Sequence, residues 1–505
     1  MVISDTDQYR EFLQNLHREE FRPAALNDIK NLLSLKPASE VSVVIRDGGI
    51  KEIIECLNIQ DKIQFDLTCE VLKLCCEKFE IGGIIRKYTG YFMFMLRHEK
   101  SCVRQIAVDE VAKVMTTDPS LLPVAQYIDL FVAVAQQVSD KEVGIANKAI
   151  LVTSNLPDEA YPKVLEEMKI ALEYDSSSKC NAFEVIVNVS SKSPELLSLC
   201  ADQQYIDFMV SELNTNDVLY QLNLLELMSR LAEKPHGISH FVNAGVLKTV
   251  SGLVADLPNN PLNALLTPGY MKFFGTIAHN YPQEIFTKYP VLLNLMFEIF
   301  VIQDQATLSI ALDTLGFVGS TIEGKLSLAA LGSQYTQAVS SVAQMIRNGT
   351  TEVKVRALHC FASLIGVDFG NSAPIPRPID HRVTLMTREW FRTLSAQAAP
   401  MVTLLEMCKN PFPDIRSAAF TLLDAVCQHQ WGEELVARTA GFIEYLLDRS
   451  ISFTKELKEV KYDIIKKLSR SAAFDDNILS RLQLYVEQGA FYSQTEMQIA
   501  TEEGD

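Results

Sequence analysis

The sequence predicts an all-α, right-handed solenoid, because helical periodicity recurs along the chain, strand signals are nearly absent, and the helical pattern repeats about every 40 residues. Each repeat shows a short polar turn and then a helix with apolar residues three or four positions apart. In "KSCVRQIAVDEVAKVM" these apolar residues are Val103, Ala107, Val111 and Val114. Such a stripe is typical of a helix that buries one face against a neighbour.

The first apolar residue of each such helix sets the period. These residues are Ile63, Val103, Val143, Cys180, Val218, Leu308, Val355 and Ile415. Their spacing is 37 to 40 residues as far as Val218, and the next gap of 90 fits two units with one centred near Leu265. The period matches HEAT and armadillo repeats, which bury their apolar faces only when stacked.

Stacking of this kind predicts one continuous solenoid over residues 1–488. The interval from Val355 to Ile415 is longer, 60 residues, and contains the proline-rich stretch "GVDFGNSAPIPRPID". We interpret residues 366–380 as a loop insertion. Residues 489–505 are polar and acidic, and we expect a loose tail there.

Composition limits the class of partner and the compartment. The chain has 63 acidic and 46 basic residues and a net charge of −17, which disfavours nucleic acid. The start carries no leader pattern, and the most apolar stretch is too short for a bilayer and contains Glu298, so no membrane span is expected. Ten cysteines lie in apolar runs, which indicates reduced thiols in the cytoplasm or nucleus.

The stretch "GFVGSTIEGKLS" resembles a phosphate-binding loop, because Gly319 is followed after four residues by Gly324 and Lys325. Leu326 stands where a magnesium-binding hydroxyl is needed, and the residues before Gly319 have helical rather than strand periodicity. We therefore interpret Gly316 and Gly319 as glycines at the end of a repeat helix.

No other motif predicts catalysis, a metal or a cofactor. His236 and His240 are four residues apart, but Pro235 and Gly237 make a helix there doubtful and no third ligand is near in sequence. The ten cysteines are better explained as small buried hydrophobic residues than as nucleophiles. The sequence predicts no catalytic residue, no metal site, no cofactor and no small-molecule substrate.

Polar residues on the second helix of several repeats are the candidates for partner binding. They are Glu110, Asn223, Glu226 and Asp313. Second helices usually line the concave side of a solenoid, where such proteins bind partners. A solvated polar face without function is the other interpretation.

Four strings carry a resemblance to a known family. They are "TPGYMKFFGTIA", "ALDTLGFVGSTIEGK", "REWFRTLS" and "GFIEYLLDRS", and "SFTKELKEVKYDIIKKL" follows the last of them. In this order and spacing they resemble the proteasome non-ATPase regulatory subunit 5 family. The resemblance implies a non-enzymatic chaperone for assembly of the 19S base. Its partners would be the C-terminal domain of an AAA ATPase subunit and associated base subunits, and it would be released on maturation.

Two alternatives remain open at this stage. A HEAT or armadillo scaffold of another pathway, such as a transport adaptor or a chaperone cofactor, shares all the repeat features. A nucleotide-binding enzyme would instead need a strand-rich fold around Lys325.

Overall fold

The computed structural model describes residues 4–302, 305–368, 379–396 and 399–492. Throughout these ranges the regular structure is helical, without a β-strand. The predicted all-α solenoid is therefore confirmed. The chain divides into two compact units, Met1–Gly237 and Ile238–Asp505, and the prediction of one continuous domain over 1–488 stays a prediction.

The first unit is built from consecutive helices joined by short connections. Their bounds are α1 Asp5–Asn15, α2 Arg22–Leu35, α3 Ala38–Gly48, α4 Lys51–Glu55, α5 Lys62–Lys78, α6 Gly83–Leu96, α7 Ser101–Thr117, α8 Val124–Ala135, α9 Val143–Ser154, α10 Tyr161–Val164, α11 Glu166–Ala171, α12 Ser176–Ser190, α13 Pro194–Asp202, α14 Tyr205–Ser211 and α15 Val218–Ala232. Helix α16, Pro235–Asn243, follows at the boundary between the units.

The second unit is also built from consecutive helices. Its helices are α17 Val246–Asp256, α18 Asn263–Asn280, α19 Pro282–Lys288, α20 Val291–Ile302, α21 Gln305–Val318, α22 Ile322–Ala329, α23 Ser333–Asn348, α24 Thr351–Ile365, α25 His381–Arg392, α26 Pro400–Cys408, α27 Pro413–Val426, α28 Gln430–Arg438, α29 Phe442–Leu447, α30 Lys455–Leu468 and α31 Asp476–Gln488.

The second helices of successive repeats pack side by side, and we call them the second-helix layer. In the first unit this layer is α2, α5, α7, α9, α12 and α15, each packed on the next. In the second unit it is α18, α21, α24, α27 and α30. Side chains that face the layer's neighbours are apolar and buried, and those that point away are mostly polar. The unit expected near Leu265 is present as α18.

Two of the residues that set the period are exposed. Three others are only half-buried: Cys180, Val218 and Val355. Ile63 is 77% exposed and Val143 is 71% exposed, because each stands in the first turn of its helix. The buried stripes begin slightly later, at Phe65 in α5 and Ile145 in α9. The predicted repeat length therefore agrees with the structure, although these period-setting residues do not belong to the buried core.

The predicted insertion and tail fall largely outside the described residues. Residues 369–378 of the insertion 366–380 and residues 493–505 of the tail lie there. The rest of the long interval before α27 contains two ordered helices, α25 and α26. The surplus length therefore includes helical structure.

In the described part of the chain no single helix is both long and apolar enough to cross a membrane; only the bent pair Pro235–Asn243 and Val246–Asn259 passes by length and composition. All ten cysteines are free thiols, and Cys102 and Cys180 are the two that are not buried. Burial raises the pKa of the Cys56 thiol to about 11, which keeps it protonated.

Candidate partner-binding face of the second-helix layer

Two of the four predicted residues line one open groove. Asn223 and Glu226 project from α15 on its exposed face, and α12 forms the opposite wall with Ser177, Cys180 and Glu184. The groove has a volume of about 520 Å³. The sequence thus placed two side chains correctly on an accessible surface, and the structure adds the wall of α12 that sequence reasoning missed.

Local capping fixes the helices that form this groove. The Asp175 carboxylate accepts a hydrogen bond from the Ser178 amide at the start of α12, and the Asp217 carboxylate accepts one from the Tyr220 amide at the start of α15. Each satisfies an amide that the first helical turn leaves free. The two caps therefore fix where α12 and α15, the walls of the groove, begin.

The groove combines polar groups with one exposed aliphatic side chain. The amide nitrogen of Asn223 lies 3.8 Å from the Cys180 sulfur, and Glu184 and Arg230 approach to 3.6 Å across the groove. Leu219, at the open end, is 75% exposed. An exposed leucine flanked by carboxylates suits a partner that offers both apolar and basic side chains.

The prediction for Glu110 is wrong, because this side chain is in the core of its repeat. It is only 3% exposed and lies on the face of α7 that carries Val103, Ala107 and Val114. Its carboxylate is 3.5 Å from the Lys113 ammonium. Burial raises the pKa of Glu110 to about 7, against a weaker lowering by Lys113. The spacing 103-107-110-114 in the sequence already indicated this position on the stripe.

Asp313 is exposed, as predicted, but a basic residue of the next repeat pairs with it. Its carboxylate lies 3.0 Å from an Arg356 guanidinium nitrogen, which joins α21 to α24. The same kind of pair recurs between other adjacent second helices. The pairs are Glu70 with Lys30, Asp109 with Lys148, Glu184 with Arg230, and Asp424 with Lys467.

These ion pairs make the exposed surface of the second-helix layer less acidic than the sequence predicted. A surface ion pair of this kind contributes about 0–1 kcal/mol, so each of these pairs adds little to the stability of the fold. They do neutralise carboxylates that the sequence alone presented as an acidic surface. The basic partners stand about 40 residues away along the chain, which is why the sequence pattern did not reveal them.

The lookalike of a phosphate-binding loop is a turn between two helices. Gly319 follows the last residue of α21, and Thr321 caps α22 by accepting a hydrogen bond from the Gly324 amide at 3.0 Å. The Lys325 ammonium is fully buried and donates hydrogen bonds to the main-chain oxygens of Gly319 and Ser363. A phosphate outside the protein cannot reach it, so this lysine ties two helix ends together.

Gly324 belongs to a set of glycines at one position of the repeat. Gly237, Gly324 and Gly432 are each the third residue of the helix that follows a second helix. A side-chain carbon at these positions would lie 1.8 to 2.0 Å from a carbonyl oxygen at the end of the preceding second helix. Gly324 therefore reflects close helix packing within a repeat. Of the two glycines interpreted as a helix end, Gly319 follows the last residue of α21, whereas Gly316 lies inside that helix.

The histidine pair is also structural. His236 and His240 both lie in α16, so the doubt about a helix there was misplaced; Pro235 occupies its first position, where proline is tolerated. His236 is 2.9 Å from the Ser190 carbonyl oxygen. The described residues hold no cluster of three or more histidine, cysteine, aspartate or glutamate side chains suited to a metal ion.

Comparisons with solved structures agree with the architecture. Yeast importin-β (Kap95p) matches with a TM-score of 0.54 and 10% identity, over 96% of this chain and 65% of that one. The Kap95:Nup1 complex gives 0.55 and 12% identity, over 95% and 63%. At these identities the likeness concerns the fold alone. The molecule is a HEAT/armadillo-like α-solenoid that presents a layer of second helices.

Sequence comparisons define the family. The model of the family described as "Proteasome non-ATPase 26S subunit" matches residues 6–505. The 26S proteasome non-ATPase regulatory subunit 5 of Bos taurus is 25% identical over 95% of this chain and 96% of its own length. The Drosophila melanogaster protein of the same name is 25% identical over 97% of each chain. The chain belongs to this family of proteasome non-ATPase subunits, and the resemblance seen in the four strings is confirmed.

Proposed function

We propose that this protein is a non-enzymatic chaperone for assembly of the 19S regulatory particle base. It would bind the C-terminal domain of an AAA ATPase subunit, alone or with associated base subunits, and leave when the particle matures. The family match over residues 6–505 is the observation that carries the proposal. We further propose that it acts in the cytoplasm, and also in the nucleus, without a cofactor and without contact to nucleic acid or membrane.

The contact surface we propose is the groove between α12 and α15. It offers Leu219 as an apolar anchor, the Asn223 amide as a hydrogen-bonding group, and Glu226 as a carboxylate on the same helix face. Leu219 and Glu226 are about two helical turns apart, so a helical domain with an aliphatic and a basic side chain two turns apart would match these groups. Complementary charges of this kind mainly raise the association rate and fix the orientation.

The mechanism needs only binding and steric exclusion. A partner held along the second-helix layer would be unable to offer the same surface to the proteolytic core. Release would follow when a competing contact favours the state without the chaperone, because a ligand shifts an equilibrium only by its differential affinity. The buried, hydrogen-bonded state of Lys325 also supports a role without nucleotide hydrolysis.

The test is capture of separately produced base ATPase subunits on the immobilised full chain. We expect one or more of them to bind at about 0.1 M salt and to bind more weakly at about 1 M, because salt screens exposed charges. The variant Asn223→Lys with Glu226→Lys should weaken capture about tenfold, since such surface charges contribute about 1 kcal/mol. Gln8→Lys with Glu11→Lys, the same charge change at exposed positions three residues apart on α1, is the matched control.

The outcomes separate the parts of the proposal. If no base ATPase binds the wild-type protein, the chaperone function is wrong, and a scaffold of another pathway becomes the better explanation. If ATPases bind and the groove variant captures them as well as the control does, the function stands and the groove assignment is wrong. Circular dichroism must show equal helicity for all variants before they are compared.

A further inference from the structure

A second open groove lies at the end of the second-helix layer in the unit Ile238–Asp505. It has a volume of about 430 Å³ and runs between α27 and α30. Its polar lining consists of Thr421, Asp424, Asp463, Lys466, Lys467 and Arg470. It therefore concentrates three cationic side chains, although the whole chain carries a net charge of −17.

Two of these cations have no anionic partner within the described ranges. Lys467 is paired with Asp424 at 2.6 Å. Lys466 and Arg470 are exposed, stand four positions apart, and make no ion pair with any residue from 4–302, 305–368, 379–396 or 399–492. Asp463 is in the groove as well and offsets part of the positive charge. The remaining excess suits a short segment with a few carboxylates better than a dense polyanion such as nucleic acid.

The chain that leaves α31 is held beside this groove. The Tyr462 hydroxyl on α30 donates a hydrogen bond to the Val486 oxygen at 3.3 Å. Arg449 donates to the main-chain oxygens of Tyr485 and Gly489, both at 3.0 Å. Tyr462 thus holds this backbone against α30, and Arg449 holds it from the loop before α30. Tyr462 is only about one helical turn from Lys466.

The segment that follows has the matching charge and enough length. Residues 493–505, "SQTEMQIATEEGD", contain Glu496, Glu502, Glu503 and Asp505 and no basic residue. Thirteen residues span up to about 43 Å when extended, whereas Tyr462 and Arg470 are separated by about 12 Å along the helical rise. A tethered segment of this length also has an effective concentration of about a millimolar at a nearby site.

We propose that residues 493–505 occupy the groove between α27 and α30, with carboxylates of Glu502 and Glu503 opposite Lys466 and Arg470. The chain then covers the end of its own second-helix layer with its acidic segment. An acidic segment of another protein can use this groove only by displacing residues 493–505. The proposal does not depend on the identity of the partner at α12 and α15.

The first test is zero-length carbodiimide crosslinking of the full chain, read by mass spectrometry. The carbodiimide takes up the elements of water as the amine and the carboxyl group form an amide, so only groups in direct contact are joined. We expect an intramolecular link from Lys466 or Lys467 to Glu502 or Glu503, lost at about 1 M salt. If no link joins these residues at low salt, while the surface pair Lys30–Glu70 crosslinks, the segment is not in the groove.

The second test measures competition by the chain's own segment. A dye-labelled peptide of residues 493–505 is titrated against the wild-type full chain and against a full chain whose segment is neutralised. The neutralising changes are Glu496→Gln, Glu502→Gln, Glu503→Gln and Asp505→Asn. We expect the neutralised chain to bind the peptide at least about tenfold more tightly, because its groove is no longer occupied from within.

Charge reversal in the groove locates the binding. In the neutralised chain, Lys466→Glu with Arg470→Glu should abolish peptide binding, whereas Lys248→Glu with Arg388→Glu, the same charge change at exposed positions on α17 and α25, should not. Loss of binding in both variants would point to net charge alone and would overturn the proposal. Equal peptide binding by wild-type and neutralised chains would show a groove open to an acidic segment of another molecule, which would also overturn it.

Discussion

Replacing Lys325 with methionine removes one buried ammonium group and two hydrogen bonds while keeping a side chain of similar length. The Lys325 ammonium is fully buried and donates to the oxygens of Gly319 and Ser363, at the ends of α21 and α24. Burial lowers the pKa of Lys325 from 10.5 to about 7. We therefore expect a change in stability that depends on pH, which a purely apolar core substitution would not show.

The magnitude follows from proton binding. Between pH 7 and 10.5 the unfolded chain holds a proton on this lysine that the folded chain does not hold. The free energy of unfolding of the wild type therefore rises with pH by about 1.4 kcal/mol per unit in this interval. Methionine has no such contribution, but it leaves two buried carbonyl oxygens with one partner fewer, at a cost of about 1–3 kcal/mol. The lowered pKa of Lys325 already costs the wild type about 4 kcal/mol at pH 7, which is more than the lost hydrogen bonds cost the variant. The variant should therefore be the more stable protein at pH 7, and its advantage should shrink by about 2–3 kcal/mol between pH 7 and pH 9.

The assay is urea unfolding followed by far-ultraviolet circular dichroism at several values between pH 6 and pH 9. Lys248→Met, at an exposed position on α17, is the control for loss of a lysine without burial, and its difference from the wild type should not change with pH. A difference between wild type and Lys325→Met that stays constant over this pH range would refute the reasoning, because it would mean that the buried lysine keeps its proton throughout.

Four further changes test the packing of the repeats and the buried carboxyl group of Glu110. Gly324→Ala should lower the melting temperature, because its new side-chain carbon would lie 1.8 Å from the Val318 oxygen. Gly252→Ala, in open space within α17, should raise the melting temperature slightly, because alanine favours a helix over glycine by up to about 1 kcal/mol. Leu312→Ala should cost about 2–5 kcal/mol in denaturant unfolding because Leu312 is fully buried, and an unchanged unfolding midpoint would contradict this. Glu110→Gln should remove a decline in stability between about pH 4.5 and 7, because the raised pKa lets the folded chain hold a proton that the unfolded chain has lost. Unfolding curves for wild type and variant at pH 5 and pH 7 measure that difference.

The fold class and the repeat length were predictable because both depend on the spacing of apolar residues that are close together in the sequence. An apolar stripe such as Val103, Ala107 and Val111 needs only helical spacing to be recognised, and its recurrence about every 40 residues indicates stacked units. The unit at α18 was found in this way without a strong motif of its own. Apolar spacing predicted burial less well at helix ends, where Ile63 and Val143 are exposed.

The sequence by itself determined that Asn223, Glu226 and Asp313 lie on second helices and point away from the core. Only the tertiary structure decided their surroundings: α12 completes the groove beside Asn223, and Arg356 neutralises Asp313. It also placed the Lys325 ammonium against two helix ends instead of a phosphate. The physical reason is distance along the chain. Helical period is set within a few residues, whereas the groups that face each other across stacked repeats stand about 40 residues apart, and their pairing follows from packing alone.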